Sequence, residues 1–168
     1  ILPALFAPVI AAIVAGVSTW IVLRVSRSIS SDYRRNGFRW GQIATASLVA
    51  LSHGTNDAQK TMGVIALALI TTGHLSGDVK ENGLPFWIIF SCAVAIGLGT
   101  YIGGWRVIRT LGKGLVEIES PQGLAAEASS AAIILSSSAA GMALSTTHVA
   151  TGSILGSGVG KPGAEVRW

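Results

Sequence analysis

Two short runs hold most of the side chains with which this sequence can do chemistry in apolar surroundings. The first is Ser52-His53-Gly54-Thr55-Asn56-Asp57-Ala58-Gln59-Lys60. Asp57 and Asn56 offer oxygens to a small cation, and the carboxylate is also a place for a proton. His53 stands four residues before Asp57, so the two can share either one on a helix face. Lys60 supplies a compensating positive charge. The second run is Ala143-Leu144-Ser145-Thr146-Thr147-His148. Its three adjacent hydroxyls can donate to an oxyanion or accept from a cation. Neither run matches a nucleotide-binding or hydrolytic pattern. The sequence has no Walker A loop, strand-linked G-x-G-x-x-G, G-x-S-x-G elbow or H-E-x-x-H.

The elements that must position these runs follow from where charge is missing. The chain has 168 residues, 50% hydrophobic and 12% charged, with 21 glycines. A water-exposed domain of this length carries about twice that charge. The single cysteine, Cys92, excludes an internal disulfide and a thiolate metal cluster. Residues 1–23, 82–105 and 128–160 contain no Asp, Glu, Lys or Arg. About 20 apolar helical residues cross the hydrocarbon of a bilayer. The expectation is an all-α, polytopic helical membrane protein forming one membrane domain over residues 1–168. Residues 1–23 make a poor signal peptide: the run has no basic start, is too long, and ends in arginines. The absence of an initial Met and the abrupt Trp168 read as a fragment cut at both ends.

The first span is Ile1 to Leu23, with Trp20 near its end. The loop after it carries Arg24, Arg27, Arg34, Arg35 and Arg39 against Asp32, a net +4 that the positive-inside rule places in the cytoplasm. Arginines next to a span are the usual topology signal, so no nucleic-acid partner is expected. The second element runs from about Trp40 to Thr72. Its ~33 residues are too long for one simple crossing as a helix. Asp78, Lys80 and Glu81 follow it and suit the outside. The third span is about Pro85 to Trp105, flanked by Trp87 and Trp105, and Arg106, Arg109 and Lys113 return the chain inward. The fourth, Gln122 to Gly160, is rich in Ala, Ser, Gly and Thr. Lys161 and Arg167 follow it, so it reads as a re-entrant helical hairpin that turns near Ser145–His148; one full crossing is the alternative.

Charged groups inside a membrane are costly and mark function. The polar centre of the second element reads as a broken transmembrane helix: Gly54 permits the break, and Asn56 or Asp57 caps a half-helix starting near Ala58. A new helix N-terminus attracts anions, and freed carbonyls attract cations, as in transporters with discontinuous helices. The bland alternative is a kinked helix with a structural Asp57–Lys60 pair. For the hydroxyl run it is back-bonding to its own helix. Gly152, Gly156 and Gly160 form a G-x-x-x-G-x-x-x-G row, which reads as a close helix-packing face.

His53-Gly54-Thr55-Asn56-Asp57-Ala58-Gln59-Lys60 resembles the G-x-N-D signature of the PiT family of inorganic phosphate transporters. Leu144-Ser145-Thr146-Thr147-His148 resembles that family's P-V-S-T-T-H motif, in the right order and at about the right separation. PiT proteins carry both motifs in each of two inverted repeats; here each occurs once. The resemblance therefore implies the second repeat, with the first repeat of the same protein missing. It implies secondary active transport of phosphate coupled to H+ or Na+ in the plasma membrane. Gly54, Thr55, Asn56, Asp57, Ser145, Thr146 and Thr147 would bind substrate, and Asp57, Lys60 and His53 would serve the coupling ion or proton. No resident cofactor or metal site is implied. A divalent metal carried with phosphate is, because Gln59-Lys60 resembles the low-affinity bacterial branch. A homodimer is left open. Ala143 and Leu144 depart from the family's Pro and Val.

Two rivals stand beside this reading. A permanent dianion such as sulfate needs donors only, whereas hydrogen phosphate also offers a proton to an acceptor, so Asp57 favours phosphate. An intramembrane metal-dependent hydrolase would need His53, Asp57 and His148 around one ion.

Overall fold

The computed structural model describes residues 2–27, 31–75, 83–142 and 144–166, with the side chains of residues 2–4, 31–35 and 113 outside the description. Asp78, Lys80, Glu81, Ala143, Arg167 and Trp168 lie outside the described residues, so the outer-loop charges and the first residue of the hydroxyl run are not placed. The described chain is helical. Its helices are α1 (Leu2–Ser26), α2 (Ser31–Thr71), α3 (Phe86–Arg109), α4 (Ser120–Ala139) and α5 (Thr146–Val159), with a π-helical turn at Thr110–Gly114 after α3.

α1 and α3 are long and apolar enough to cross a membrane, over Leu5–Ser26 and Phe86–Gly112. Neither is the wrapped core helix of a water-soluble domain. α3 leaves Tyr101 and Ile102 more than 75% exposed, and α1 exposes Leu5, Val9 and Ile13 along one side. Trp87 and Trp105 are exposed near the two ends of α3, as expected of interfacial aromatics.

The sequence places a break within the second element; the structure instead has one continuous 41-residue helix, α2, from Ser31 to Thr71. The physical reason lies in how the polar run is satisfied. Ser52 and Thr55 donate back to the Leu48 and Leu51 carbonyls at 2.6 and 2.8 Å. Their hydroxyls therefore do not compete as caps for a new helix start. Gly54 is helical, and no neighbour approaches the space a side chain would fill. A glycine inside a helix costs about 1 kcal/mol relative to Ala, too little to break a helix held along its length. Asn56 and Asp57 are accordingly mid-helix residues, not caps. α2 also takes in residues 31–39 of the expected basic loop. It ends at a Schellman motif: Gly73 has φ +73, and the Gly73 and His74 amides donate to the Ile70 and Leu69 carbonyls.

α4 and α5 form a helical hairpin that turns earlier than expected. Gly141 has φ +70, and the Gly141 and Met142 amides close a second Schellman motif on Ser138 and Ser137. The link therefore spans 140–145, and Ser145 is the N-cap of α5, its hydroxyl accepting from the His148 amide at 3.4 Å. At the other end, Glu119 and Gln122 make a capping box that starts α4. The outer ends of the hairpin meet. Lys161 pairs with Glu119 at 2.7 Å, and Val116 and Val166 form an antiparallel bridge.

The hairpin is clamped between α1 and α2. Gly152, Gly156 and Gly160 of α5 lie against the α1 backbone at Pro8, Ala12 and Gly16, where any Cβ would overlap the opposing carbonyls. The row is a packing face, as its spacing predicts. Ala7 and Ala11 of α1, Ile134 of α4, and Leu144 and Val149 make the small core between them. On the other side Gly41 packs against Leu124 and Gly123 against Gln42, again with no room for a Cβ.

Candidate functional site

The two polar runs, 88 residues apart in sequence between Asn56 and Leu144, meet where α2 crosses the hairpin tip. Asn56 is the organising side chain and is buried. Its amide nitrogen donates to the Leu144 carbonyl and to Asp57 Oδ1, both at 3.2 Å. Its amide oxygen accepts from the Ser138 hydroxyl at 3.3 Å. Lys60, one turn along, donates to the same Leu144 carbonyl at 2.8 Å and to Asp57 Oδ1 at 3.1 Å. Thr146, the first residue of α5, donates to Asp57 Oδ2 at 3.4 Å, and His53 Nε2 lies 2.9 Å from the same oxygen.

Asp57 thus faces the start of α5. There the first amides have no carbonyl a turn earlier, and the helix dipole is positive. A carboxylate is the side chain such a position favours. The continuity of α2 does not prevent this. Residues 53, 56, 57 and 60 share one face of a helix because they are spaced by three and four. One uninterrupted face presents the imidazole, amide, carboxylate and ammonium together. The one interrupted element at the site is the hairpin, whose link supplies the carbonyl of Leu144.

The other expected site residues lie farther out. Thr55 is exposed and bonded to its own helix, Gly54 borders open space, and Thr147 is exposed. Ser145 is engaged in capping α5. His148 turns away from Asp57 and lines an apolar groove of about 820 Å³ between α1 and α5. The triad that the hydrolase rival requires is not assembled, and no three His, Cys, Asp or Glu side chains gather among the described residues.

Sequence reasoning passed over Glu127, which served only as the edge of a charge-free stretch. It is half-buried on α4, and Thr45 of α2 donates to its Oε2 at 2.7 Å. The signal was available: a carboxylate inside an apolar helix needs a partner or a task. Ser138 was likewise read as part of a small-residue tract, not as the hydroxyl that orients Asn56.

A long helix and a helical hairpin, packed through small residues and joined by a polar cluster at the hairpin tip, define a membrane protein of the transporter kind. The sequence matches the phosphate transporter family over residues 1–168, and the chain belongs to that family. It is 62% identical over 168 residues to a probable low-affinity inorganic phosphate transporter of Mycobacterium tuberculosis, covering all of this chain and 40% of that protein. It is 40% identical over 165 residues to a probable low-affinity inorganic phosphate transporter of Bacillus subtilis, covering 98% of this chain and 48% of that protein. A putative phosphate permease of Pyrococcus abyssi is 36% identical over 126 residues, covering 74% and 30%. The chain thus spans less than half the length of these relatives. No solved structure matches it.

Proposed function

We propose that this chain carries one half of the substrate site of a secondary transporter of inorganic phosphate, in a multi-pass plasma-membrane protein whose first repeat supplies the facing half. The observation that carries the reading is the shared Leu144 carbonyl: Asn56 and Lys60 both donate to it, tying the N-D run to the S-T-T-H run. Packing alone does not call for a carboxylate, an amide and an ammonium at one carbonyl in lipid, because each is costly there.

The membrane placement follows from the same geometry. The hairpin ends meet at Glu119 and Lys161, so the segment enters and leaves on one side. The 20 residues of α4 and 14 of α5 put the tip ~20–30 Å from that base, well into the hydrocarbon. Arg24, Arg106, Arg109 and Lys161 mark the base side as cytoplasmic.

In this reading hydrogen phosphate is held by Asn56, the hydroxyls of Ser145, Thr146 and Thr147, and the first amides of α5. A bare dianion in low dielectric is prohibitive, so H+, Na+ or a divalent metal travels with it. Asp57 takes the accompanying charge, and the two repeats rock about the site. The test is accumulation of labelled phosphate by the full-length protein in proteoliposomes. Asp57→Asn is expected to abolish ion-coupled accumulation; retained accumulation removes Asp57 from the mechanism. Sulfate at equal concentration is expected to compete weakly, and strong competition would transfer the assignment to sulfate.

A further inference from the structure

We infer that the ammonium of Lys60 occupies the position of a bound alkali cation, so that this half of the site carries its own tethered counter-ion and needs no sodium there. The inference rests on the phosphate-site reading and extends it to the question of what balances Asp57.

Four oxygen atoms converge at the hairpin tip: both carboxylate oxygens of Asp57, the Leu144 carbonyl and the Thr146 hydroxyl. A carboxylate, a freed backbone carbonyl and a hydroxyl are the ligand types that a small hard cation takes. A positive charge is already placed among them. Lys60 Nζ lies 2.8 Å from the Leu144 carbonyl and 3.1 Å from Asp57 Oδ1, bridging the two helices as a cation would. The ammonium brings three donors and no acceptor. Two are spent on this bridge. The third is left for the cavity of about 240 Å³ beside it, lined by Asn56, Gln59, Lys60, Ser138, Gly141 and Met142. That cavity also gives a free ion a path to the position if the ammonium is removed. His53, the other group on Asp57, touches Oδ2 and leaves the Oδ1 side to Lys60.

The test compares the full-length wild type with Lys60→Met and Lys60→Arg in sodium chloride and in choline chloride at equal ionic strength. Phosphate uptake in proteoliposomes and thermal melting of the detergent-solubilised protein are both read. The wild type and Lys60→Arg are expected to show the same uptake and melting in both salts. Lys60→Met is expected to lose about tenfold of its uptake in choline, the scale of one charged hydrogen bond. Sodium should restore most of that uptake and raise the melting temperature of the variant, since an ion that binds only the folded state stabilises it. If Lys60→Met does not fold, Lys60→Gln is read in its place, with the same expected gain of sodium dependence. A wild type that requires sodium overturns the inference. So does a variant lacking the ammonium that is indifferent to sodium in both measurements. A wild type that accumulates no phosphate defeats the proposed function instead, and the melting arm still decides the cation question.

Discussion

The hairpin is held on its two sides by opposite kinds of contact. Against α1, three glycines bring α5 so close that backbone meets backbone, with no side chain between them. Against α2, its tip is held by one buried amide, one ammonium and one hydroxyl directed at a carbonyl and a carboxylate. The first contact is steric and has one arrangement. The second consists of exchangeable donors and acceptors, each of which a ligand can replace. A hairpin that must keep its place while its tip changes partners needs both. The glycine row provides the fixed wall, and the Asn56–Lys60 face provides the contact that can be rewritten.

Substitutions can break that contrast. The largest effect is expected at the wall. Gly156→Leu places a side chain where the Ala12 backbone lies. Overpacking of this kind costs about 3 kcal/mol when neither partner can yield, and two helix backbones cannot. A strongly lowered melting temperature, with uptake lost alongside it, is the expected result. Unchanged melting would mean that α1 and α5 are not in close contact. At the tip the order reverses. Asn56→Leu removes the donor to Leu144 and the acceptor of Ser138, while Lys60 still satisfies the carbonyl. Phosphate uptake should fall about a hundredfold, the scale of two lost polar contacts at a charged site, with melting little changed. If melting falls as far as in Gly156→Leu, the tip is a structural clamp and the contrast fails.

A third region lies between these extremes. Glu127 and Thr45 join α4 to α2 by one charge-assisted hydrogen bond near the hairpin base. Thr45→Val keeps the shape and removes the hydroxyl. The expected loss is about 1.5 kcal/mol of stability, because the carboxylate keeps its burial and loses its donor. Chemical denaturation of the solubilised protein measures it. No loss would show that water or a neighbouring repeat already serves Glu127.

What the sequence disclosed and what it hid divide along the same physical line. The glycine row was legible because a four-residue spacing on a helix has one geometric meaning. The pairing of the two polar runs was legible because polar groups in an apolar chain must find each other. The state of α2 was not. Gly54 and the polar run look like a helix breaker, yet the Ser52 and Thr55 hydroxyls turn back onto their own carbonyls, and sequence does not say which way a hydroxyl will turn. The hairpin turn was misplaced by a few residues for a similar reason. Ser145 offered a turn by composition, but Gly141 is the position that adopts positive φ. Glu127 was missed because attention went to uncharged stretches and their edges served only as boundaries.

The smallest effect sharpens the comparison at the hairpin base. Glu119 has two tasks there: its carboxylate caps α4 by accepting from the backbone, and it pairs with Lys161. Its side chain is 64% exposed, and exposed ion pairs contribute about 0–1 kcal/mol. A lost cap costs about 1 kcal/mol. Glu119→Gln keeps an oxygen for the cap and removes the charge, so its stability should stay within about 0.5 kcal/mol of wild type. Glu119→Ala loses both tasks and should fall by about 1 kcal/mol more. Denaturation of the two variants side by side separates the cap from the pair. If Gln costs as much as Ala, the ion pair fastens the two ends of the hairpin, and the base joins the tip as a contact governed by charge. If the two differ as expected, the base is fastened by backbone capping and the Val116–Val166 bridge, and charge governs the hairpin only at its tip.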